Sequence, residues 1–257
     1  MLPRLTTPFA PYATRSWVTL LSSIVRSWTF GAALFAACAV RLSAPAGALD
    51  SQDVLLHYER ALIALPTPKT MVFTYTVSQA GPRALEQMHR IYRSGDLVRD
   101  EMIASEGQTL KRKTVRVSRY PDRYAIARIA PHGSEYAFLF QGMVRIGSRT
   151  AYEYTAVPTQ RGGAYVVDSM AIDTASFLPL SIRFSTVTGN VKAQGELRYA
   201  RTARYWLPQF AAVQAQLTGG IARERIAFSG YSFPESLPES TFRSLKPQPT
   251  PAALPTF

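Results

Sequence analysis

The stretch Met170–Ser185, MAIDTASFLPLSIRFS, contains two alternating runs separated by a turn. Asp173-Thr174-Ala175-Ser176 supplies the turn chemistry, because an Asp side chain can accept hydrogen bonds from the backbone just ahead of it. Beyond the turn Leu180, Ile182 and Phe184 point one way, and Ser181, Arg183 and Ser185 the other. A run with period two demands a sheet with one apolar face. The same period recurs along most of the chain.

Upstream, Met71, Phe73, Tyr75 and Val77 alternate with Val72, Thr74, Thr76 and Ser78, and Gly81-Pro82 then turns the chain. Further strand-like runs follow at short intervals: LEQMHRIYRS, LVRDEMIAS, TLKRKTVRVSRY, RYAIARIA, EYAFLFQGMVRIG, RTAYEYTAVP, AYVVDSMAID, VKAQGELRYA, YWLPQFAAVQAQL and IARERIAFSGYSF. Gly95-Asp96, Gly107, Pro121-Asp122, Pro131-His132-Gly133, Gly162-Gly163, Thr188-Gly189-Asn190 and Gly219-Gly220 punctuate them. Connections this short are hairpins. Only Asp50–Leu65 carries a helical stripe, with Val54, Tyr58 and Leu62 in line, Asp50 as N-cap and Pro66 as the stop. The expectation is a mainly β (α+β) fold. It has a strongly curved antiparallel sheet or half-open β-barrel of about ten to eleven strands, with the N-terminal helix packed on its concave side.

Before Asp50 there is no Asp, Glu or Lys, while Arg4, Arg15, Arg26 and Arg41 surround the apolar run 27–40. This is an export-signal pattern, and Ala46-Gly47-Ala48 places cleavage after Ala48. Two other readings of the leader stand beside it. One is an uncleaved anchor over 17–40, which would bury Arg26 in mid-span. The other is lipidation of Cys38, since Phe35-Ala36-Ala37-Cys38 resembles a lipoprotein cleavage box. Cys38 is the single cysteine, so a chain cleaved after Ala48 has no disulfide and relies on its core. The expected organisation is an export segment at 1–48, one β domain at 49–243, and a Pro-rich disordered tail at 244–257. Localisation is expected to be periplasmic or otherwise extracytoplasmic.

The formal net charge is +12. Outside the cytoplasm such a surface suits anionic membrane headgroups or polyanionic glycans, and nucleic acid is not expected as a partner. The basic run at 111–119 does not form one stripe, because Lys111 and Lys113 share a face with Val115 and Val117 while Arg112 and Arg116 take the other.

Catalytic patterns are scarce. His57, His89 and His132 stand alone, with no H-E-x-x-H and no G-x-S-x-G, so no metal, cofactor or Ser/His site is expected. Asp100 and Glu101 point to opposite faces of a strand, as do Asp168 and Asp173. Aromatic residues are instead spread over nearly every strand. They serve either as core or, where part of the space stays open, as walls for acyl chains. The candidate wall residues are Phe73, Tyr75, Phe138, Phe140, Leu180, Ile182 and Phe184.

One helix, the strand MVFTYTVSQAG, the hairpin MHRIYRSGDLVRDE, then GMVRIGSRTAYEYTAVP, VDSMAIDTASFLPLSIRFSTVTGN and ELRYARTARYWLP together resemble the bacterial lipoprotein-carrier superfamily. This superfamily comprises the LolA/LolB-like proteins and the related RseB-type sensor domain. The resemblance covers most of 50–235, and a strand ending in Asp, a turn and a Leu-Pro-Leu strand form its closest part. It implies a half-open barrel with helices as a lid and acyl chains held in the concavity. This chain departs from the pattern in having few lid helices after the first. Three functions follow as expectations: a non-enzymatic envelope carrier or sensor holding a lipid or a lipoprotein acyl chain; a scaffold with a filled core that engages another envelope protein; and an envelope hydrolase built from carboxylates that the fold brings together.

Overall fold

The structure is a computed structural model and describes residues 50–82, 84–119, 126, 129–160, 165–188, 191–217 and 219–243. The leader with its sites at Cys38 and Ala48, the Gly162-Gly163 break and the tail 244–257 lie outside the described residues.

Helix α1 (Ser51–Ile63) begins where Asp50 accepts a hydrogen bond from the Gln52 amide at 3.1 Å, and Asp53 adds negative charge to its first turn. Its buried residues are the predicted stripe, Val54, Tyr58 and Leu62. Eleven strands follow: β1 (Thr70–Ala80), β2 (Leu85–Ser94), β3 (Leu97–Ser105), β4 (Gln108–Arg119), β5 (Tyr136–Ile146), β6 (Arg149–Pro158), β7 (Tyr165–Asp173), β8 (Pro179–Thr188), β9 (Val191–Thr202), β10 (Tyr205–Leu217) and β11 (Gly220–Ser232). They form a single antiparallel sheet in the order β4-β3-β2-β1-β11-β10-β9-β8-β7-β6-β5. Every neighbouring pair except β1 and β11 is a hairpin in sequence, so short connections build almost the whole sheet. The β1–β11 pair joins the two ends of the chain, and β4 and β5 are left as free edges. The barrel is therefore not closed.

Curvature shows in the core. Phe73 on β1, Tyr154 on β6, Phe184 on β8 and Ile226 on β11 belong to one buried cluster together with Val54, Tyr58 and Leu62 of α1. Six strand pairings carry register irregularities at bulges, among them Phe140/Gly142 and Pro208/Phe210. Each bulge bends its strand and increases the local twist. Gly142 takes φ +128°, a conformation that a side chain would strain.

One expected strand does not occur among the described residues. RYAIARIA reads as alternating, yet the amides of Ile129 and Ala130 both bond to the Ile126 carbonyl, at 2.9 and 2.8 Å, and the described part of this run is a turn. Ile126 and Ala130, four apart, are both buried. Residues four apart share a face in a strand as well as in a helical turn, so alternation alone could not tell the two apart. Among the described residues the remaining helical element is the 3-10 turn Glu239–Phe242, whose Thr241 carbonyl accepts from Arg99 on the outer face of the sheet at 2.9 Å. A lid of several helices is not present among these residues.

Candidate functional site

The inner face of the sheet is built from in-register rows. One runs Val167–Phe184–Gly195–Val213–Glu224–Gln79 across β7, β8, β9, β10, β11 and β1. The next row toward α1 is Ile182–Leu197–Ala211–Ile226–Val77. On the other side lies Tyr165–Thr186–Ala193–Ala215–Ala222. Around Glu224 the floor is therefore made of small side chains. At Gly195 the cause is a neighbour: a Cβ there would lie 2.4 Å from the Phe184 ring and 2.9 Å from the Ala212 carbonyl oxygen. With glycine in place, the Phe184 ring lies flat against the sheet beside Tyr165, with ring centres 5.0 Å apart.

Helix α1 covers the other half of this face. Tyr58 donates to the Pro131 carbonyl at 2.6 Å and meets Phe138 edge-on; Tyr154 donates to the Ser51 carbonyl at 2.9 Å; His57 stacks on Phe177. Burial raises the Tyr58 hydroxyl well above its ordinary pKa, with the Glu59 and Tyr199 charges adding to the effect, and pushes Tyr154 up to about 12. Both phenols stay protonated as donors.

Phe73, Tyr75, Leu180, Ile182 and Phe184 all lie in the inner core with at most 3% of their surface exposed. Phe138 is half-buried, and Phe140 is 46% exposed on the edge strand β5. The structure thus packs five of these residues into one buried hydrophobic cluster with Phe138 against it, and leaves Phe140 at its margin, against Tyr152 and Tyr154. Tyr75 is also tied to polar groups, stacking on His89 and donating to Asp100 at 3.2 Å, while His89 Nδ1 lies 2.7 Å from the same carboxylate.

The carboxylates do not converge as a hydrolase would need. Asp100 faces inward to His89 and Tyr75, while Glu101 faces outward between Arg99 and Lys113 at 2.6 and 3.2 Å. Asp173 holds its turn by accepting from the Ser176 amide at 2.9 Å and hydroxyl at 2.6 Å, with Arg149 at 3.1 Å. Asp168 is exposed and bonded to Ser185. No cluster of three His, Cys, Asp or Glu able to hold a metal occurs among the described residues. An open groove of about 450 Å³ is lined by Arg183, Gln194, Glu196, Gln214 and Arg223 together with Phe184, Gly195, Val213 and Glu224.

Sequence reasoning missed the most unusual group of the inner face. Glu224 is 3% exposed and its Oε1 has no hydrogen-bond partner; the buried hydroxyls of Tyr165 and Tyr199 share that condition. Burial alone raises the Glu224 carboxyl to about 7. A signal existed, because in the stretch ARERIAF at 222–228 Glu224 falls in phase with Ala222, Ile226 and Phe228, the apolar phase of β11.

Among the described residues the chain is an open, one-sheet half-barrel with one α-helix against its apolar inner face, and comparison with solved structures finds several likenesses. The chain is similar to a LolA superfamily protein from Nitrosomonas europaea, at 13% identity over 77% of this chain and 99% of that one, with TM-score 0.42. It is similar also to an outer membrane lipoprotein-sorting protein domain from Vibrio parahaemolyticus, at 14% identity over 75% and 97%, TM-score 0.45. A third likeness is to the MucA/MucB complex of Pseudomonas aeruginosa, at 14% identity over 76% and 96%, TM-score 0.24. No protein-family model and no curated protein matches the sequence.

Proposed function

We propose that this chain is a non-enzymatic protein of the bacterial cell envelope, exported by residues 1–48, whose domain at 49–243 holds a lipid or a lipoprotein acyl chain against the inner face of its half-barrel. The observation that carries this reading is the inner wall itself. It runs apolar from Phe73 on β1 to Phe138 on β5, in a sheet whose edges do not meet, with one helix as cover. An acyl chain laid on such a wall gains roughly 0.8 kcal/mol for each methylene removed from water. A basic surface would bring the protein to anionic membranes. The separate engagements of Asp100, Glu101, Asp168 and Asp173 speak against hydrolysis.

Native mass spectrometry of the protein purified from an envelope extract, followed by organic extraction, tests the proposal. A stoichiometric lipid is the expected result. An empty protein that also takes up no lipid from vesicles would overturn it.

A second reading, engagement of another envelope protein, is favoured by the contrast between the two edges. Strand β4 carries Lys111, Arg112, Lys113, Arg116 and Arg119, the charge that protects an edge from pairing. Strand β5 carries one charge, Arg145, and exposes Leu139, Phe140 and Met143 by 54, 46 and 56%. Such an edge suits strand addition. A photocrosslinker at Leu139 that captures one defined envelope protein in cells would support this reading; its failure to capture any would remove it.

A further inference from the structure

We infer that the open groove of about 450 Å³ is a binding site for an anionic oligosaccharide, independent of any ligand of the inner face. Its place follows from the register of four neighbouring strands. Arg183, Glu196, Ala212 and Arg225 form one row across β8, β9, β10 and β11, and Ser185, Gln194, Gln214 and Arg223 form the next. Both rows belong to the phase that points away from the core, and Arg183, Gln194, Gln214, Arg223 and Arg225 are exposed. Phe184 and Glu224, at 2 and 3% exposure, are turned inward and contribute to the floor. The groove thus opens on the side of the sheet opposite α1, and its volume falls in the range of small-molecule sites, about 300–1,000 Å³.

The hydrogen-bonding groups of the groove are unequally spent. Its acceptors are taken: Glu196 accepts from Arg198 Nε and Nη2 at 3.1 and 3.0 Å, Asp168 from the Ser185 hydroxyl at 2.5 Å, and Gln214 Oε1 from Arg223 Nε at 3.2 Å. Donors remain. Among the described residues the side chains of Arg225 and Gln194 have no partner, Arg223 keeps its two terminal nitrogens, and Arg183 reaches only Glu153, at 3.4 Å. The ligand must therefore bring acceptors, and guanidinium groups favour acceptors that carry negative charge. Arg183 stands on β8 and Arg225 on β11, three strand spacings apart, or about 14 Å. A chain with spaced anionic groups bridges that distance, and a lone phosphate does not. Between the arginines the outward side chains are Gln194, Gln214, the paired Glu196 and the methyl of Ala212. Such a surface suits hydroxyl groups rather than the apolar side chains of a peptide.

Calorimetric titration of the full chain with trigalacturonate and with its neutral methyl ester tests this, at low salt and at pH 6, where Glu224 beneath the floor holds its proton. The native protein should bind the acid about tenfold or more tighter than the ester. Arg223→Gln/Arg225→Gln should weaken binding of the acid about tenfold. Lys111→Gln/Arg112→Gln, which removes the same charge from β4, should leave it unchanged. All four side chains are exposed, so neither variant loses core packing, and circular dichroism checks that both are folded. No binding of the acid, equal binding of the ester, or an equal loss in the β4 variant overturns the site. If the native protein ignores the saccharide and Arg223→Gln/Arg225→Gln releases it from vesicles of phosphatidylglycerol, the groove is a headgroup contact and the proposal falls. The saccharide probes carry no acyl chain, so the reading of the inner face stands or falls separately, by the lipid extraction.

Discussion

Replacing Glu224 by Gln should make the protein more stable in mild alkali and leave it unchanged in acid. The carboxyl is buried among apolar neighbours, which raises it to about 7 in the folded protein from 4.5 in the unfolded chain. Below pH 4 both states hold the proton and its ionisation does not enter the balance. Between about 4.5 and 7 the unfolded chain releases its proton while the folded protein retains it, so stability falls as pH rises. Above pH 8 the loss is complete. The gap between the two values converts to roughly 3 kcal/mol, at about 1.4 kcal/mol for each tenfold change in proton affinity. Gln keeps the size and polarity of the side chain and has no proton to lose. In a chain of this size each kcal/mol moves Tm by about 2–4 °C, so the difference in Tm between variant and native protein should grow by roughly 6–12 °C from pH 4.5 to pH 8. Thermal unfolding followed by circular dichroism across that range provides the curve. Every other titrating group is common to both proteins and cancels in the difference. Two parallel curves would refute the reasoning, since they would mean that Glu224 titrates as an exposed carboxyl does.

Three further changes test the packing. Gly195→Ala should destabilise by about 1–3 kcal/mol, because the added methyl meets the Phe184 ring and a backbone carbonyl that cannot move aside; the midpoint of urea unfolding reads it. Asp173→Ala should cost about 1–3 kcal/mol by leaving Arg149 and the Ser176 amide without their shared carboxylate, and urea unfolding should show a lower midpoint with an unchanged slope. Tyr58→Phe should cost about 1–3 kcal/mol by orphaning the buried Pro131 carbonyl, and hydrogen exchange should show α1 opening more readily.

The fold was legible wherever period and punctuation agreed. Eleven of the expected runs are strands, and the helical stripe Val54, Tyr58, Leu62 is the buried face of α1. The Asp173 turn was readable from four residues because a single side chain accounts for its hydrogen bonds. RYAIARIA misled because local alternation says nothing about the distant partners that bury Ile126 and Ala130. Of the inner wall, the aromatic members could be named from alternation. What surrounds them could not, because the small floor at Ala193, Gly195, Ala211, Ala215 and Ala222 becomes a feature only when three strands are set in register. Glu224 could have been found from its phase in β11, but a charge in an apolar phase is ordinarily read as an edge or an error in register.

The same register explains why the sheet encloses one core. Bulges bend the strands of a hairpin ladder until the residues of β1 and β6 meet in one core, and α1 fills the region where they meet. A further strand pairing between β4 and β5 would close the barrel and remove both edges. Five basic residues on β4 oppose that pairing, because each would have to lose water against the apolar side chains of β5. The charge on β4 would thus work against closure of the barrel as well as against aggregation. Neutralising Lys111, Arg112 and Lys113 together should lower the solubility of the protein and promote pairing through the uncharged edge, which sedimentation velocity would detect as association. A variant that stays monomeric at high concentration would show that the openness of the sheet rests on its bulges alone.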